Sequence, residues 1–282
     1  MEVSKKCLLL KYSQRKPYGF SNSYQDDTER LFKDLSARVK INIIAAPAIK
    51  TNFPEYKRLA GFLTSKNNAE IYDVSLGADI TTWAYLKEIR TKGLDSVIAQ
   101  PCPAIVNYVQ KYRHDLLPKL APIHSPMMCT AIYLRKYKKK NESICFLSPC
   151  IAKYSEINDT NTKGLVQYNV TFKKLAEYIR ANNIDLSNYD EKEFSEPVLG
   201  LGDIYSNPGG LKENVYQYKP DAWVKQVEGT ETAYKYLNEY SKRLREGKPL
   251  PLLVDILSCA HGCNVGSGTE KNVDLTDIDF TM

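Results

Sequence analysis

The chain has 282 residues, of which 43% are apolar and 26% charged, and its formal net charge is +6. These values are typical of a globular protein with one large domain or two packed lobes. The longest early apolar run, from Cys7 to Leu10, is too short for a signal sequence or a membrane span, so we predict a cytoplasmic protein with no membrane partner.

The lysines are spread along the chain apart from the run between Lys136 and Lys140. A nucleic-acid-binding protein would carry a basic stripe with interleaved aromatic residues, so no nucleic-acid partner is predicted. The run itself is typical of a solvated helix end or loop. Alternatively, it could help to dock an acidic electron carrier, because complementary charge accelerates encounter.

Residues 1–25 carry no strong apolar period and are predicted to form an N-terminal arm. From Asp26 onward, helices are predicted to alternate with apolar strands, which is typical of βαβ units and a parallel sheet. The predicted helices cover residues 26–39, 56–63, 80–90, 105–112, 127–137, 171–184 and 234–245. The predicted strands cover residues 41–47, 69–75, 95–101, 143–149 and 252–258, and a glycine-rich turn lies at 206–215.

Three of these strands run into a cysteine: Cys102, Cys150 and Cys259. Ligands gather at the carboxyl ends of parallel strands, where loops converge and helix N-termini supply backbone donors. We therefore expect the three thiols to approach one another. Cys263 follows Cys259 by one helical turn or one tight loop. Seven cysteines in a cytoplasmic chain favour metal ligands over disulfides, and an odd number cannot pair completely.

Four cysteines in such loops fit the thiolate ligands of a four-iron four-sulfur cluster. A zinc site is the rival, but structural zinc sites usually draw cysteines as two close pairs, and here only Cys259 and Cys263 are close. The cysteines outside this set are interpreted as small buried hydrophobes: Cys7, Cys129 and Cys145.

Two further side chains could serve such a cluster. Lys153, three residues after Cys150, could place a positive charge beside it, although a lone lysine is more often on the surface. His261 lies between two proposed ligands and could donate a hydrogen bond to the cluster, although an isolated histidine is more often exposed in a loop.

The cysteine-bearing segments resemble the ordered motifs of the FeFe-hydrogenase H-cluster domain. The segments that carry the resemblance are PCPAIVNYVQKY (101–112) with LLPKLAPIHSPMM (116–128), LSPCIAKYSE (147–156), YSNPGGLKENV (205–215) and CAHGCNVGSG (259–268). The similarity runs from about Asp26 to the C-terminus. DDTERLFKDL, at residues 26–35, resembles the linker of sensory members of the family.

This resemblance implies an α/β fold of two lobes, whose twisted, mainly parallel sheets are flanked by helices and enclose the cluster between them. The H-cluster domain would span 26–282, with lobe one at about 26–125 and lobe two at about 126–282. The reaction would be the reversible interconversion of hydrogen with protons and electrons.

The implied cofactor is an H-cluster, in which a 4Fe-4S cubane is joined to a diiron subcluster with CO, cyanide and dithiolate ligands. By the resemblance, the cubane would be ligated by Cys102, Cys150, Cys259 and Cys263. The residue matching Cys263 also bridges to the diiron subcluster, and the lysine matching Lys153 hydrogen-bonds a cyanide.

The chain departs from the family motifs at several positions. Pro101 stands where the family has a proton-relay cysteine, and proline has neither a side-chain proton nor an amide N–H. Ser148 and Leu257 replace methionines, which alters the surroundings of the diiron site, and Ile105 replaces a tryptophan. We therefore predict a slow hydrogenase of the divergent, sensory type, with Pro101 and Ser148 bordering the cofactor.

An alternative proton relay could use Cys129 and Glu213. The expected partners are an electron-carrier protein such as ferredoxin, hydrogenase maturation proteins and a signalling partner. The electron carrier is expected because no CxxCxxCxxxC segment precedes the domain. Two other functions stay open. The chain could resemble the non-catalytic relatives in cytosolic iron–sulfur protein assembly, which keep the cubane ligands without a diiron site, or it could be a regulatory binding module.

Overall fold

A computed structural model of the chain describes residues 26–66, 70–196 and 199–270. The predicted arm at 1–25 and the interpretation of Cys7 lie outside these ranges. The α-helices are α1 (Thr28–Ser36), α2 (Ile49–Asn52), α3 (Tyr56–Ser65), α4 (Ser75–Lys92), α5 (Pro103–Tyr112), α6 (Pro126–Lys136), α7 (Lys153–Ile157), α8 (Phe172–Ala181), α9 (Gly210–Tyr216) and α10 (Thr230–Arg245). Short 3-10 helices cover His114–Lys119, Leu186–Asn188, Gly202–Ser206 and Gly262–Val265.

The strands form two parallel sheets. They are β1 (Ile41–Ala45), β2 (Ile71–Asp73), β3 (Val97–Ile98), β4 (Ser143–Ser148), β5 (Tyr168–Thr171), β6 (Val224–Glu228) and β7 (Leu253–Leu257). The first sheet has the order β2-β1-β4-β5 and the second the order β3-β7-β6. Their strand pairs are all parallel, which confirms the predicted α/β class with parallel sheets flanked by helices.

Each sheet is buried by apolar side chains. Every residue of β1 is buried, as expected of a continuous apolar strand covered on both faces. In the second sheet, Leu253 and Val254 are neighbours on β7 and belong to two different core clusters. Because successive strand residues point to opposite faces, this sheet has a hydrophobic core on each side.

The chain crosses between the two sheets rather than completing one before the other. β3 joins the second sheet, whereas the strands before and after it, β2 and β4, belong to the first. The predicted sequential lobes at about 26–125 and 126–282 are therefore wrong as a division of the sheets. Apolar periodicity identifies a strand, but it does not specify which strand is its neighbour.

The sequence prediction missed two edge strands. β5 follows a polar segment, and its outer edge is covered by the start of the described chain: the amide of Asn169 donates to Asp27 Oδ2 at 2.8 Å, and that of Thr171 to Asp26 Oδ2 at 2.9 Å. β6 is only half-buried and carries charged residues. Both strands therefore lack the continuous apolar sequence from which β1, β4 and β7 were predicted.

The lysine run from Lys136 to Lys140 lies just before β4 and therefore at the amino end of that strand. Lys138 pairs with Glu196 at 2.6 Å and Lys140 with Glu70 at 2.8 Å. A strand of six residues spans roughly 20 Å, which separates this run from the cysteine at the carboxyl end. In the described ranges, no helix combines the length and the apolar character needed to cross a bilayer.

Candidate metal centre

One cavity at the carboxyl ends of both sheets is lined by all of the predicted ligands: Cys102, Cys150, Cys259 and Cys263. Cys150 follows β4 of the first sheet, whereas Cys102 and Cys259 follow the neighbouring strands β3 and β7 of the second. The cavity has a volume of about 80 Å³, compared with the ~10–15 Å³ needed for one water molecule. The expected convergence of the thiols therefore takes place between two sheets.

Cys102 is positioned by the start of α5. It is the N-cap residue in an extended conformation, and Pro103 begins the helix, where proline's fixed φ fits. Burial raises the pKa of the Cys102 thiol, and the negative charge of Cys150 adds to this effect, whereas hydrogen bonds from the backbone of Ser258, Ile105 and Ala104 act in the opposite direction. The helix N-terminus thus supplies donors that favour the thiolate.

Cys150 is held by polar side chains around its backbone. Ser148 Oγ accepts from Cys150 N at 3.1 Å and lies 3.0 Å from Cys150 O, to which it donates. Asn169 Nδ2 also donates to Cys150 O, at 3.3 Å. Ser267 Oγ lies 3.7 Å from the Cys150 sulfur and donates towards it. The loop after β4 is therefore fixed by contacts from β5 and from the C-terminal glycine-rich segment.

The loop that carries Cys259 and Cys263 depends on Gly262. This residue has φ +63°, and an added Cβ would lie 2.4 Å from Ser206 O and 3.0 Å from Pro208 N. Only glycine adopts this conformation without strain and also allows so close a backbone approach. The 3-10 helix Gly202–Ser206 thus packs directly against the last pair of cysteines.

The four thiols influence one another electrostatically. Burial raises the pKa of Cys259 to about 11, and Cys102 and Cys150 contribute by their charge. Burial also raises the pKa of Cys263, and the other three thiols add to the effect while Lys153 opposes it. As thiolates, four cysteines in one cavity would repel each other, so a bound cationic centre would stabilise them and release protons on binding.

The number and kind of the donors fit an iron–sulfur cluster. Four cysteines line one cavity, and in such a cluster each thiolate binds a different iron. In the part of the chain that the structure describes, no group of three or more Cys, His, Asp or Glu side chains forms a site for a single metal ion.

Lys153 is buried at the edge of the same cavity. Its Nζ donates to Pro101 O at 3.0 Å and to Glu156 Oε2 at 2.7 Å. Burial lowers the pKa of Lys153, but Glu156 and the thiols Cys150 and Cys263 outweigh it, so the pKa is raised overall. The structure therefore places a cationic donor beside the thiols, and the alternative interpretation of Lys153 as a surface residue is wrong.

The rest of the lining of this cavity, called the chamber below, is largely apolar and includes Ala46, Pro47, Val74, Ala78, Pro101, Met127, Phe146 and Leu257. The polar residues there, besides the cysteines, are Lys153, Tyr205, Ser206 and Ser258. The Tyr205 hydroxyl is buried and has no hydrogen-bond partner within the described residues. Leaving such a group unpaired costs about 1–3 kcal/mol, so the chamber fits a bound group with acceptor atoms.

Several predicted site residues lie elsewhere. Ser148 is not among the described residues that line the cavity, because its hydroxyl is engaged by the Cys150 backbone. Cys129 and Cys145 are buried in the apolar cores, as interpreted from the sequence. The relay of Cys129 and Glu213 stays a prediction, and neither residue is among the described residues that line the cavity. Burial raises the pKa of Cys129 to about 12, so this thiol holds its proton, and Glu213 lies on the exposed side of α9 with 53% of its side chain accessible.

Other site residues were not predicted from the sequence. Ala46 and Pro47 follow β1, so the rule that directed attention to the cysteines at strand ends could also have identified them. Tyr205 and Ser206 end a 3-10 helix inside a segment quoted for its glycines, and no periodic pattern marks them. His261 is exposed, which agrees with its interpretation as a loop residue.

Comparison with known proteins places this arrangement in one family. A family model described as "Iron only hydrogenase large subunit, C-terminal domain" matches residues 39–267. The cytosolic Fe-S cluster assembly factor NAR1 of Vanderwaltozyma polyspora is 31% identical over 100 residues, which are 36% of this chain and 19% of that protein. The matched region thus spans only about a fifth of this relative.

Solved structures of FeFe-hydrogenases share the fold. One, from a study of oxygen inactivation of the H cluster 2Fe subcluster, superposes with a TM-score of 0.68 over 90% of this chain and 87% of that chain, at 18% identity. A variant of FeFe-hydrogenase HydA1 from Chlamydomonas reinhardtii gives a TM-score of 0.67 over the same shares, at 17% identity.

Gly262 offers a test of how the cysteine loop is built. Gly262→Ala and Gly247→Ala both place alanine at positive φ, +63° and +62°, but a Cβ at Gly247 meets nothing within 4 Å. In both variants the backbone conformation should lower the free energy of unfolding by about 1–2 kcal/mol. Gly262→Ala should lower it by about 1–3 kcal/mol more, because its Cβ would collide with Ser206 O. Urea unfolding of the apo chain measures this difference.

The same pair should differ in metal uptake. After anaerobic reconstitution with iron and sulfide, the Gly262→Ala chain should retain much less iron than the Gly247→Ala chain, because only the first substitution displaces the loop between Cys259 and Cys263. Equal stability and equal iron content in the two variants would contradict the assigned role of Gly262.

Proposed function

The chain belongs to the iron-only hydrogenase family, whose shared region is the C-terminal domain of the large subunit, and from this premise we propose that it binds an H-cluster and interconverts hydrogen with protons and electrons. The observation that carries the proposal is one cavity in which four cysteines and Lys153 adjoin an apolar chamber. A cubane alone would need only the thiols. The additional chamber supports a diiron subcluster with CO, cyanide and dithiolate ligands.

The residues divide between two tasks in this proposal. Cys102, Cys150, Cys259 and Cys263 would hold the cubane. When bound, the diiron group would supply the chemistry of forming and splitting hydrogen. Lys153 would keep a positive charge at the junction, because Glu156 stabilises its ammonium and Pro101 O fixes its direction. The apolar walls would exclude water and strengthen these polar contacts.

We also propose that turnover is slow. Pro101 lines the cavity next to Cys102, and its side chain carries no transferable proton. General acid–base groups contribute roughly 10²–10⁴-fold to proton-transfer steps. A chain that keeps the metal ligands but has proline at this position would bind hydrogen at the cluster without rapid proton exchange. This behaviour suits a sensory protein that reports to a signalling partner.

A second candidate function is that of an iron–sulfur protein resembling cluster-assembly factors. The identity to NAR1, described as a cytosolic Fe-S cluster assembly factor, favours it. In that case the thiols would carry a cubane alone and the chamber would hold no diiron group. Insertion of the diiron group by maturation proteins is thus the step that separates the two candidates.

Infrared spectroscopy tests this choice. Protein is purified anaerobically, reconstituted with iron and sulfide, and then treated with a synthetic diiron precursor. The proposal expects sharp bands in the CO and cyanide stretching region that shift under hydrogen. Their absence in protein whose cubane is fully loaded would contradict the H-cluster proposal and support the assembly-factor function.

Pro101 can be tested by a matched pair of substitutions. Pro101→Cys should increase hydrogen evolution from reduced methyl viologen by roughly 10²-fold per loaded diiron group, because it introduces a proton carrier beside the cavity. Pro101→Ala removes the ring without adding a proton and should leave the rate unchanged. If the alanine variant gained as much as the cysteine variant, a missing relay would not be the cause of slow turnover.

An electron carrier such as ferredoxin would approach the cubane at Cys150. The adjacent Ile151 and Tyr154 are 40% and 39% exposed, so this end of the site presents apolar surface. Ile151→Glu should reduce the rate with reduced ferredoxin several-fold and leave the rate with methyl viologen unchanged. Val39→Glu is the control, since Val39 is 42% exposed but precedes β1 at its amino end. Equal effects of both variants would contradict this docking site.

A further inference from the structure

Tyr205 has a hydroxyl that the fold leaves unpaired inside the cavity. The residue is 9% exposed, lines the cavity together with the four cysteines, and has no hydrogen-bond partner for its hydroxyl in the described ranges. Buried hydroxyl groups in proteins are normally satisfied, so each exception requires an explanation. An acceptor that occupies the cavity would provide one.

The polar groups nearest to Tyr205 are engaged elsewhere. Tyr205 interacts electrostatically with Tyr85, Asp255 and Cys263, among others. The Tyr85 hydroxyl accepts from Gln100 N at 3.0 Å, and Asp255 Oδ2 accepts from Lys212 N at 3.1 Å. Burial raises the pKa of Tyr205 well above its ordinary value, so the hydroxyl keeps its proton and can donate.

The packing around Tyr205 fixes it from both sides. The next residue, Ser206, accepts a hydrogen bond from Ala48 N at 3.2 Å, which ties the 3-10 helix to the loop after β1. On the other side, a Cβ added at Gly210 would lie 2.8 Å from Tyr205 Cα, so the start of α9 packs directly against its backbone. The backbone that carries Tyr205 is therefore held in place by its neighbours.

The other polar side chains of the lining besides the cysteines are Lys153, Ser206 and Ser258. Ser206 Oγ accepts from Ala48 N at 3.2 Å, and Ser258 Oγ lies 3.2 Å from Thr230 Oγ1. The chamber walls at Val74, Ala78, Met127 and Phe146 are hydrocarbon or thioether, and Lys153 already donates to Pro101 O and to Glu156. Diatomic ligands such as CO and cyanide end in an acceptor atom and are small enough for such a chamber. A neutral donor in the same cavity would orient one of them.

We propose that Tyr205 is a positioning residue whose hydroxyl donates a hydrogen bond to a CO or cyanide ligand of the diiron group. The inference rests on the proposed function, since it requires that this group occupies the chamber. It adds a donor that neither the sequence motifs nor the strand-end rule indicated.

The test compares Tyr205→Phe with Tyr85→Phe. Both remove one buried hydroxyl, but the Tyr85 hydroxyl has a protein partner and does not belong to the described lining of the cavity. In protein loaded with the synthetic diiron precursor, Tyr205→Phe should shift at least one CO or cyanide band, because a hydrogen bond to the ligand changes the electron density in its bond. Tyr85→Phe should leave the bands in place.

Thermal unfolding of cubane-only protein gives a second readout. Tyr205→Phe should keep the parent melting temperature or raise it, because no protein hydrogen bond is lost, whereas Tyr85→Phe should lower it. Parent protein without CO or cyanide bands would overturn the proposed function and this inference with it. Parent bands that stay unmoved in Tyr205→Phe would overturn the inference alone. A Tyr205→Phe chain as destabilised as Tyr85→Phe would also overturn it, by showing that the hydroxyl is already satisfied.

Discussion

The gathering of four cysteines in one cavity is the constraint on which the architecture of the site depends, because as thiolates they would repel one another. Burial and neighbouring groups raise the pKa of Cys102, Cys259 and Cys263, so their ionisation costs free energy in the folded protein. The arrangement is favourable only when a metal centre neutralises the thiolates, so that free energy from metal binding is coupled to the folded state. Contacts from the surrounding residues hold the cysteine-bearing loops together in the absence of a metal centre.

The interleaved sheets provide that support. In chain order, β3 lies between β2 and β4 of the first sheet, but it pairs within the second sheet. The loops that carry the cysteines therefore follow strands that are distant in the sequence and belong to both sheets. Contacts then connect the loops of the two sheets. Lys153, just after β4, donates to the carbonyl of Pro101, just after β3, and Ser206, which leads into β6, accepts from Ala48 N, just after β1. Displacing one loop therefore disturbs ligands that follow the other sheet.

The sequence was informative where a single physical rule determines the outcome. Strands buried on both faces are continuous apolar runs, so β1, β4 and β7 could be recognised, and cysteines that directly follow strands were expected to meet. The pairing of strands depends on contacts between distant segments, which explains why the predicted lobes failed. Side chains on short 3-10 helices also follow no period, so Tyr205 could be found only from the lining of the cavity and from its unpaired hydroxyl.

The same distinction explains why metal binding and turnover can be separated in this chain under the proposed function. Ligand geometry is set by backbone and packing, which persist when Pro101 takes the position of a relay cysteine, because its carbonyl still accepts from Lys153. Proton transfer instead needs a titratable atom at one place, and proline supplies none there. Nothing in the geometry of the described residues transfers that role to Cys129, whose thiol contacts His124 O and Thr81 in the core. Under the proposed function, a cavity that keeps its metal ligands but has no proton carrier at this position would hold a cluster in a long-lived state, as a sensor requires.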